Sequence, residues 1–378
     1  MDMDLIIGDL TNDGVVFLEN GGSASQNWMT DLDTFFPKYD VPVQMSIFLG
    51  AFNVDVNGDQ LKDIIIAPNQ KSSITNTDNI WLYENTGNPS NRFYLKSKNF
   101  LADQTLDFGS YSYPVFVDYN ADGLQDIVVT TDGEFGLSGP AILAMYLFEN
   151  TGTKSEPVFE LVDDDYLGFR AFTSTSRNPA PSFGDLDGDL DLDLLIGDNN
   201  GKLYYFENTA GPGNTFAFKT PIYNYMEIDD GQDAKPEIVD LNDDGLGDIV
   251  VGNRISEIQD GTIGSLRYFQ NQGSIGNPMF DPDATALPNT SILGEVDVRT
   301  STSGGESILS APCFIKYQDR FSLLVGSDGR GINLYTDIEN NLYDAFTFEQ
   351  SNLGQLREGR ALTVDAFDID NDGFMELL

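Results

Sequence analysis

The stretch Asp185-Leu-Asp187-Gly-Asp189-Leu-Asp191-Leu-Asp193-Leu-Leu-Ile-Gly197 places a carboxylate at every second position and then turns abruptly apolar. Alternation at positions 1, 3 and 5 points those oxygens to one side, and the acid at position 9 completes the set. A hard cation takes six to eight oxygen ligands, so several must converge from one short loop. Glycine at position 4 or 6 permits the sharp turn that this requires. Four further copies occur. They are Asp55-Val-Asn57-Gly-Asp59-Gln-Leu61-Lys-Asp63 and Asp118-Tyr-Asn120-Ala-Asp122-Gly-Leu124-Gln-Asp126, then Asp240-Leu-Asn242-Asp-Asp244-Gly-Leu246-Gly-Asp248 and Asp368-Ile-Asp370-Asn-Asp372-Gly-Phe374-Met-Glu376. One Asp-rich turn is commonplace, whereas five at similar spacing read as calcium loops, about five sites in all.

The 378 residues carry 40% apolar and 12% aromatic side chains, too many for a disordered chain despite a net charge of −41. Much of that charge lies inside the loops, where five divalent ions would offset about ten units of it. Nucleic-acid binding is excluded, because neutralising phosphates needs an excess of Lys and Arg. Cys313 is the sole cysteine, which rules out an internal disulfide, and its apolar neighbours make it a buried small hydrophobe. No apolar run approaches the ~18 residues of a membrane span. The opening residues lack the basic region of a secretion signal. The chain is therefore expected to be a single domain over residues 1–378, excised from a longer extracellular protein with other domains.

Each loop leads into a short apolar strand: Ile64-Ile-Ile-Ala67, Ile127-Val-Val129, Leu194-Leu-Ile-Gly197 and Ile249-Val-Val-Gly252. An aromatic strand follows, ending in Asn: Trp81 to Asn85, Tyr146 to Asn150, Tyr204 to Asn208 and Leu266 to Asn271. After a Gly-containing turn a single Phe marks another strand, at Phe93, Phe159, Phe216 and Phe280. A further strand precedes each loop, as in Tyr113-Pro-Val-Phe-Val117. The unit thus has four β-strands, with the acidic loop joining the first two. Four short antiparallel strands at a period of about 50 to 75 residues mark a β-propeller blade. The expectation is an all-β propeller.

One unit departs from the pattern. In Phe314-Ile-Lys316-Tyr-Gln-Asp-Arg320 the flanking strands survive, but the loop is shorter and Lys316 replaces the first Asp, so this blade is expected to hold no metal. Asp2-Met-Asp4-Leu-Ile reads as the tail of another loop, and the C-terminus supplies a beginning. Six blades with closure by the terminal strands are expected, with seven as the alternative.

The Asp-x-Asp/Asn-x-Asp-Gly-x-x-Asp loop followed by Leu-Leu-Ile-Gly resembles the FG-GAP (VCBS-type) repeat of integrin α-chain propellers. Phe148-Glu-Asn-Thr-Gly-Thr-Lys-Ser-Glu-Pro-Val-Phe159 is similar to segments of secreted Bacteroidetes surface proteins. The likeness spans essentially the whole chain. It implies calcium held by the side chains at positions 1, 3, 5 and 9, with the position-7 carbonyl. Carried over, these are Asp55, Asn57, Asp59, Leu61 and Asp63; Asp118, Asn120, Asp122, Leu124 and Asp126; and Asp185, Asp187, Asp189, Asp191 and Asp193. The last two sets are Asp240, Asn242, Asp244, Leu246 and Asp248, then Asp368, Asp370, Asp372, Phe374 and Glu376.

Function is read as binding or adhesion, toward a glycan or an extracellular protein, on the cell surface or secreted. Candidate contact segments are 21–42, 132–140, 254–264 and 286–310, with Trp28 either a ligand contact or a packing aromatic, and Trp81 a core residue. A structural scaffold within a larger surface assembly is the alternative. An enzyme is disfavoured, because the chain contains no His, the commonest general base. A polysaccharide lyase would want basic groups beside calcium, and Arg170, Arg177, Arg254 and Arg299 lie in inter-strand loops, where they read as surface arginines. Two-carboxylate glycosidase chemistry stays open, although the abundance of acids singles out no pair.

Overall fold

Aliphatic runs of four to six residues, set off by glycine, Asn and Asp turns, favour short extended segments over helices, and the computed structural model folds them so. It describes all residues except 1–2, 11–12, 24, 27, 46–47, 70–77, 103–104, 134–142, 172–175, 230, 255–263, 299–308, 328–330, 356–361, 371 and 378. The chain divides into two compact units, one of residues 1–110 with 133–141 and the other of residues 111–132 with 142–378.

The first unit contains β1 (Leu5–Gly8), β2 (Val15–Asn20) and β3 (Met29–Asp33) in one antiparallel sheet. A second sheet holds β4 (Leu49–Val54), β5 (Asp63–Pro68), β6 (Trp81–Asn85) and β7 (Phe93–Ser97) in chain order. Their shared core includes Val15, Phe36, Leu49, Ile64, Ile66, Trp81 and Tyr83. Trp81 is buried as expected, whereas Trp28 is 70% exposed and packs into no core.

The second unit opens with β8 (Tyr113–Val117), β9 (Asp126–Thr131), β10 (Ala144–Asn150) and β11 (Phe159–Asp163). The next sheet is β12 (Ala180–Gly184), β13 (Asp193–Gly197), β14 (Leu203–Phe206) and β15 (Ile222–Tyr223). A three-stranded sheet follows, of β16 (Lys235–Val239), β17 (Asp248–Gly252) and β18 (Leu266–Phe269). Then come β19 (Ser310–Tyr317), β20 (Arg320–Ser327), β21 (Gly331–Thr336) and β22 (Thr347–Leu353), and lastly the pair β23 (Ala366–Phe367) and β24 (Glu376–Leu377). No helix among the described residues is long and apolar enough to cross a membrane.

Two expected strands are corrected. Phe216 and Phe280 stand outside strands, and the sheet of β16 to β18 has no fourth strand among the described residues. Packing claims these rings instead. Phe216 stacks on Phe183 at 5.8 Å and sends its N–H to Tyr119 O at 3.0 Å, while Phe280 is buried in the core beneath β17 and β18.

Burial falls from the second strand of a sheet to the last. Every residue of β13 and β17 is buried, while β15 is exposed. Apolar clusters fill the gaps between successive sheets, such as Leu195, Tyr205, Ile238, Ile249, Val251 and Phe269. Gly197 and Gly252 allow this approach, since a Cβ there would collide with Ala234 O and Ser310 O of the next sheet. Side chains tie neighbouring first strands: Ile238 N–H donates to Ser182 Oγ at 3.0 Å, and Phe314 N–H to Glu237 Oε1 at 3.4 Å. Phe116 N–H likewise donates to Asp365 Oδ2 at 2.6 Å. These first strands line one narrow cavity of about 100 Å³, from Tyr113 to Asp365. The acidic loops lie where first strands end, and the segments entering the first strands lie at the opposite end of the sheets.

Candidate metal centres

Each acidic loop is built by its own side chains. The position-1 carboxylate reaches across the turn, and Asp185 Oδ1 accepts from Gly188 N–H at 2.7 Å while its Oδ2 accepts from Leu190 N–H at 3.0 Å. Position 3 accepts from position 5, as Asn57 Oδ1 does from Asp59 N–H at 3.0 Å. Position 5 accepts from position 7, and Leu61, Leu124, Asp191, Leu246 and Phe374 all donate N–H to the Asp two residues earlier at 2.7–3.0 Å. Such short-range side chain to backbone bonds hold a turn that a strand or helix would not accept.

Position 9 has a different task. Asp193 Oδ2 accepts from Leu186 N–H at 3.2 Å and from the Tyr205 hydroxyl at 3.0 Å, and Oδ1 accepts from Asn208 N–H at 2.8 Å. Asp63, Asp126 and Asp248 repeat this with the N–H groups of Asn85, Asn150 and Asn271. The four carboxylates are at most 1% exposed, and among the described residues no cationic side chain forms an ion pair with them. Burial pushes Asp193 and Asp248 up to about 7, and Asp126 up to about 6. Asp187 is also raised to about 6, first by burial and then by the charge of Asp189.

The structure brings three carboxylates together in two loops. Oxygens of Asp185, Asp187 and Asp193 lie within 4.8 Å of one another, as do those of Asp368, Asp370 and Glu376. In the other three loops position 3 is Asn, and its amide nitrogen donates to the position-5 Asp: Asn57 to Asp59, Asn120 to Asp122 and Asn242 to Asp244. Buried oxygens without a partner mark the two carboxylate-rich loops, namely Asp191 Oδ1 and Asp368 Oδ1. Asp191, carried over for its carbonyl, also turns its carboxylate inward and accepts Gly211 N–H at 2.7 Å. An oxygen-only donor set with unsatisfied buried acceptors suits a hard divalent ion, which would neutralise the cluster.

The unit expected to lack a loop has a two-residue turn. Tyr317 pairs with Arg320, and Gln318 and Asp319 both hold positive φ, the twist of a tight hairpin. Lys316 lies 3.4 Å from Asp243 Oδ1 and over the Phe321 ring. At the other end of the chain, Asp4 occupies position 9: Asn20 N–H donates to its Oδ1 at 3.0 Å, and Arg92 pairs with its Oδ2 at 3.2 Å.

The strand-ending Asn was missed as a structural residue in the sequence reading, although its recurrence was visible. Its side chain ties the loop to the following turn: Asn208 Nδ2 donates to Leu192 O, and Asn208 Oδ1 accepts from Ala210 N–H and Ala217 N–H. Among the arginines, Arg170 pairs with Asp164 and Arg254 with Asp233. Arg299 and parts of all four candidate contact segments (24 and 27, 134–140, 255–263 and 299–308) lie outside the described residues.

Residues 55–129 and 118–196 match the FG-GAP-like repeat, and the two matches take in the first three acidic loops. Residues 55–196 therefore carry two FG-GAP-like repeats. No curated protein matches it. It is similar to a solved structure concerned with specific recognition of non-reducing terminal N-acetylglucosamine by an Agrocybe aegerita lectin. The identity is 15%, over 92% of this chain and 79% of that one, with a TM-score of 0.35.

Proposed function

We propose that the chain is a calcium-stabilised β-propeller, six blades by its repeat count, that serves as a binding or adhesion module outside the cell. One observation carries this reading: Asp185, Asp187 and Asp193 converge within 4.8 Å with no cationic side chain among them. Two unit charges at that separation repel by about 3 kcal/mol at an effective dielectric of 20. A divalent cation turns this repulsion into attraction. Calcium suits the oxygen-rich, flexible donor set better than magnesium, which demands near-ideal octahedral geometry. The absence of His argues against zinc and against the usual general-base enzymes. Calcium then acts on folding and no reaction is assigned to the site. Sites of extracellular modules bind at millimolar concentrations, which supports a secreted or surface location.

The test is thermal melting in millimolar calcium and again with a chelator, together with a direct count of bound calcium. The expected result is a lower melting temperature in chelator and about five ions per chain. An unchanged melt refutes the reading.

A further inference from the structure

At the end of the second unit away from the acidic loops lies a cavity of about 530 Å³, inside the roughly 300–1,000 Å³ range of small-molecule sites. Three successive sheets build it from equivalent places. Tyr111, Asn178 and Asp233 each stand two residues before a first strand, and each holds a left-handed backbone, with φ of 55°, 52° and 56°. Such conformations cost free energy in non-glycine residues and gather at sites where side chains must be aimed.

The polar groups are placed in a network. Asn178 donates its N–H to Asp132 Oδ1 at 2.6 Å and its amide nitrogen to Asp233, and its carbonyl accepts from Lys235 at 3.0 Å. Asp233 in turn pairs with Arg254 Nε at 2.9 Å. Two atoms of this network make no hydrogen bond, Arg254 Nε, which is held to Asp233 by charge alone, and an acceptor. Asn178 Oδ1 is buried without a hydrogen-bond partner, in a side chain only 7% exposed that lines the cavity. An orphaned acceptor of this kind costs about 1–3 kcal/mol, and what it lacks is a donor.

We propose that this cavity binds a neutral, hydroxyl-rich ligand, a single sugar unit of a glycan. This deepens the binding-module reading and rests on it. A hydroxyl both donates and accepts, so adjacent hydroxyls can serve Asn178 Oδ1 and Asp132 while accepting from the terminal nitrogens of Arg254. A carboxylate ligand offers no donor and meets Asp132, while a cation meets Arg177 and Arg254, which both line the cavity. Gln232, exposed at the rim, adds both a donor and an acceptor. Tyr111, 42% exposed, offers a ring face to the C–H side of a sugar.

The test is saturation-transfer NMR on the full calcium-loaded chain. The probes are the methyl glycosides of glucose, galactose, mannose and rhamnose, with glucuronate and glucosamine as charged comparators. At least one neutral glycoside is expected to bind in preference to the charged pair. Arg254→Lys keeps the charge beside Asp233 but loses the planar fork, and should weaken binding about tenfold. Gln232→Ala, at an exposed position, should weaken it with an unchanged melting temperature. Binding of the charged sugars alone, or no binding by a chain whose melting is normal, overturns the proposal. So does neutral-sugar binding that survives both substitutions. Calcium-dependent melting without sugar binding removes this site and leaves the calcium reading, whereas sugar binding with calcium-independent melting does the reverse.

Discussion

Asn208 gives its backbone N–H to Asp193 Oδ1 at 2.8 Å, joining the end of a third strand to the last residue of the acidic loop. The same bond recurs between Asn85 and Asp63, Asn150 and Asp126, and Asn271 and Asp248, and with Asp4 it reappears at Asn20. Loop, second strand and third strand are thereby locked as one unit, which explains why, in each sheet that has such an acid, an Asn ends or follows the strand after the one that the acid leads into.

Asn208→Ala keeps that backbone bond but strips the side chain that satisfies Leu192 O, Ala210 N–H and Ala217 N–H. Leaving these part-buried backbone groups unpaired should cost about 1–2 kcal/mol. Urea titration should show a lower midpoint with an unchanged slope.

Asp187→Ala should have opposite effects with and without calcium. In chelator it removes a charge facing Asp185 and Asp189, so stability holds or rises. In calcium it loses the benefit of one bound ion, about 2.7 kcal/mol at a hundredfold excess over the dissociation constant. Parallel melts that drop equally in both conditions would contradict the loop's role as an ion site.

Glu237, lining the narrow cavity, is pushed up to about 8 by burial and by the Asp365 carboxylate, against one opposing N–H from Phe314. Its folded value lies above the unfolded one. The associated stability is therefore full below about pH 4.5 and is lost as pH rises through about 8. Lys235, lowered to about 7 by burial, acts in the other direction at higher pH and is unaffected by the substitution. Glu237→Gln in saturating calcium should flatten the fall in melting temperature between about pH 5 and 8, a difference of roughly 2–4 kcal/mol.

Gln318 and Asp319 occupy a turn in which both φ angles are positive. Replacing them with Asn-Gly, the pair that such hairpins favour, should stabilise the sheet by about 0.5–1 kcal/mol. A melting temperature that falls would show that the native pair makes contacts worth more than the strain.

Much of the fold was legible because position in the repeat dictates both periodicity and burial. Ile64, Leu194 and Ile249 follow their acidic loops directly and form second strands, as their runs imply. Phe216 and Phe280 were misread as strand residues, since a lone aromatic between turns satisfies a pairing pattern and a packing role equally. Trp28 gave no sign of its exposure, which depends on neighbours distant in sequence. Of the cavity lining, Asp132 and Arg254 open two of the candidate contact segments, but the grouping was not legible. Asp132, Asn178, Gln232 and Arg254 come from separate connections, and no spacing rule links them.

Within the second unit, the acidic loops that follow β8, β12 and β16 stand at the opposite end of strands about five residues long from the polar cavity, roughly 17 Å away. At physiological ionic strength the screening length is about 8 Å. Gaining or losing a cation at one end therefore sends little electric field to the other, and any influence must pass through the stiffness of the intervening strands. The two surfaces are free to drift apart in sequence, one constrained by ion chemistry and the other by what it touches.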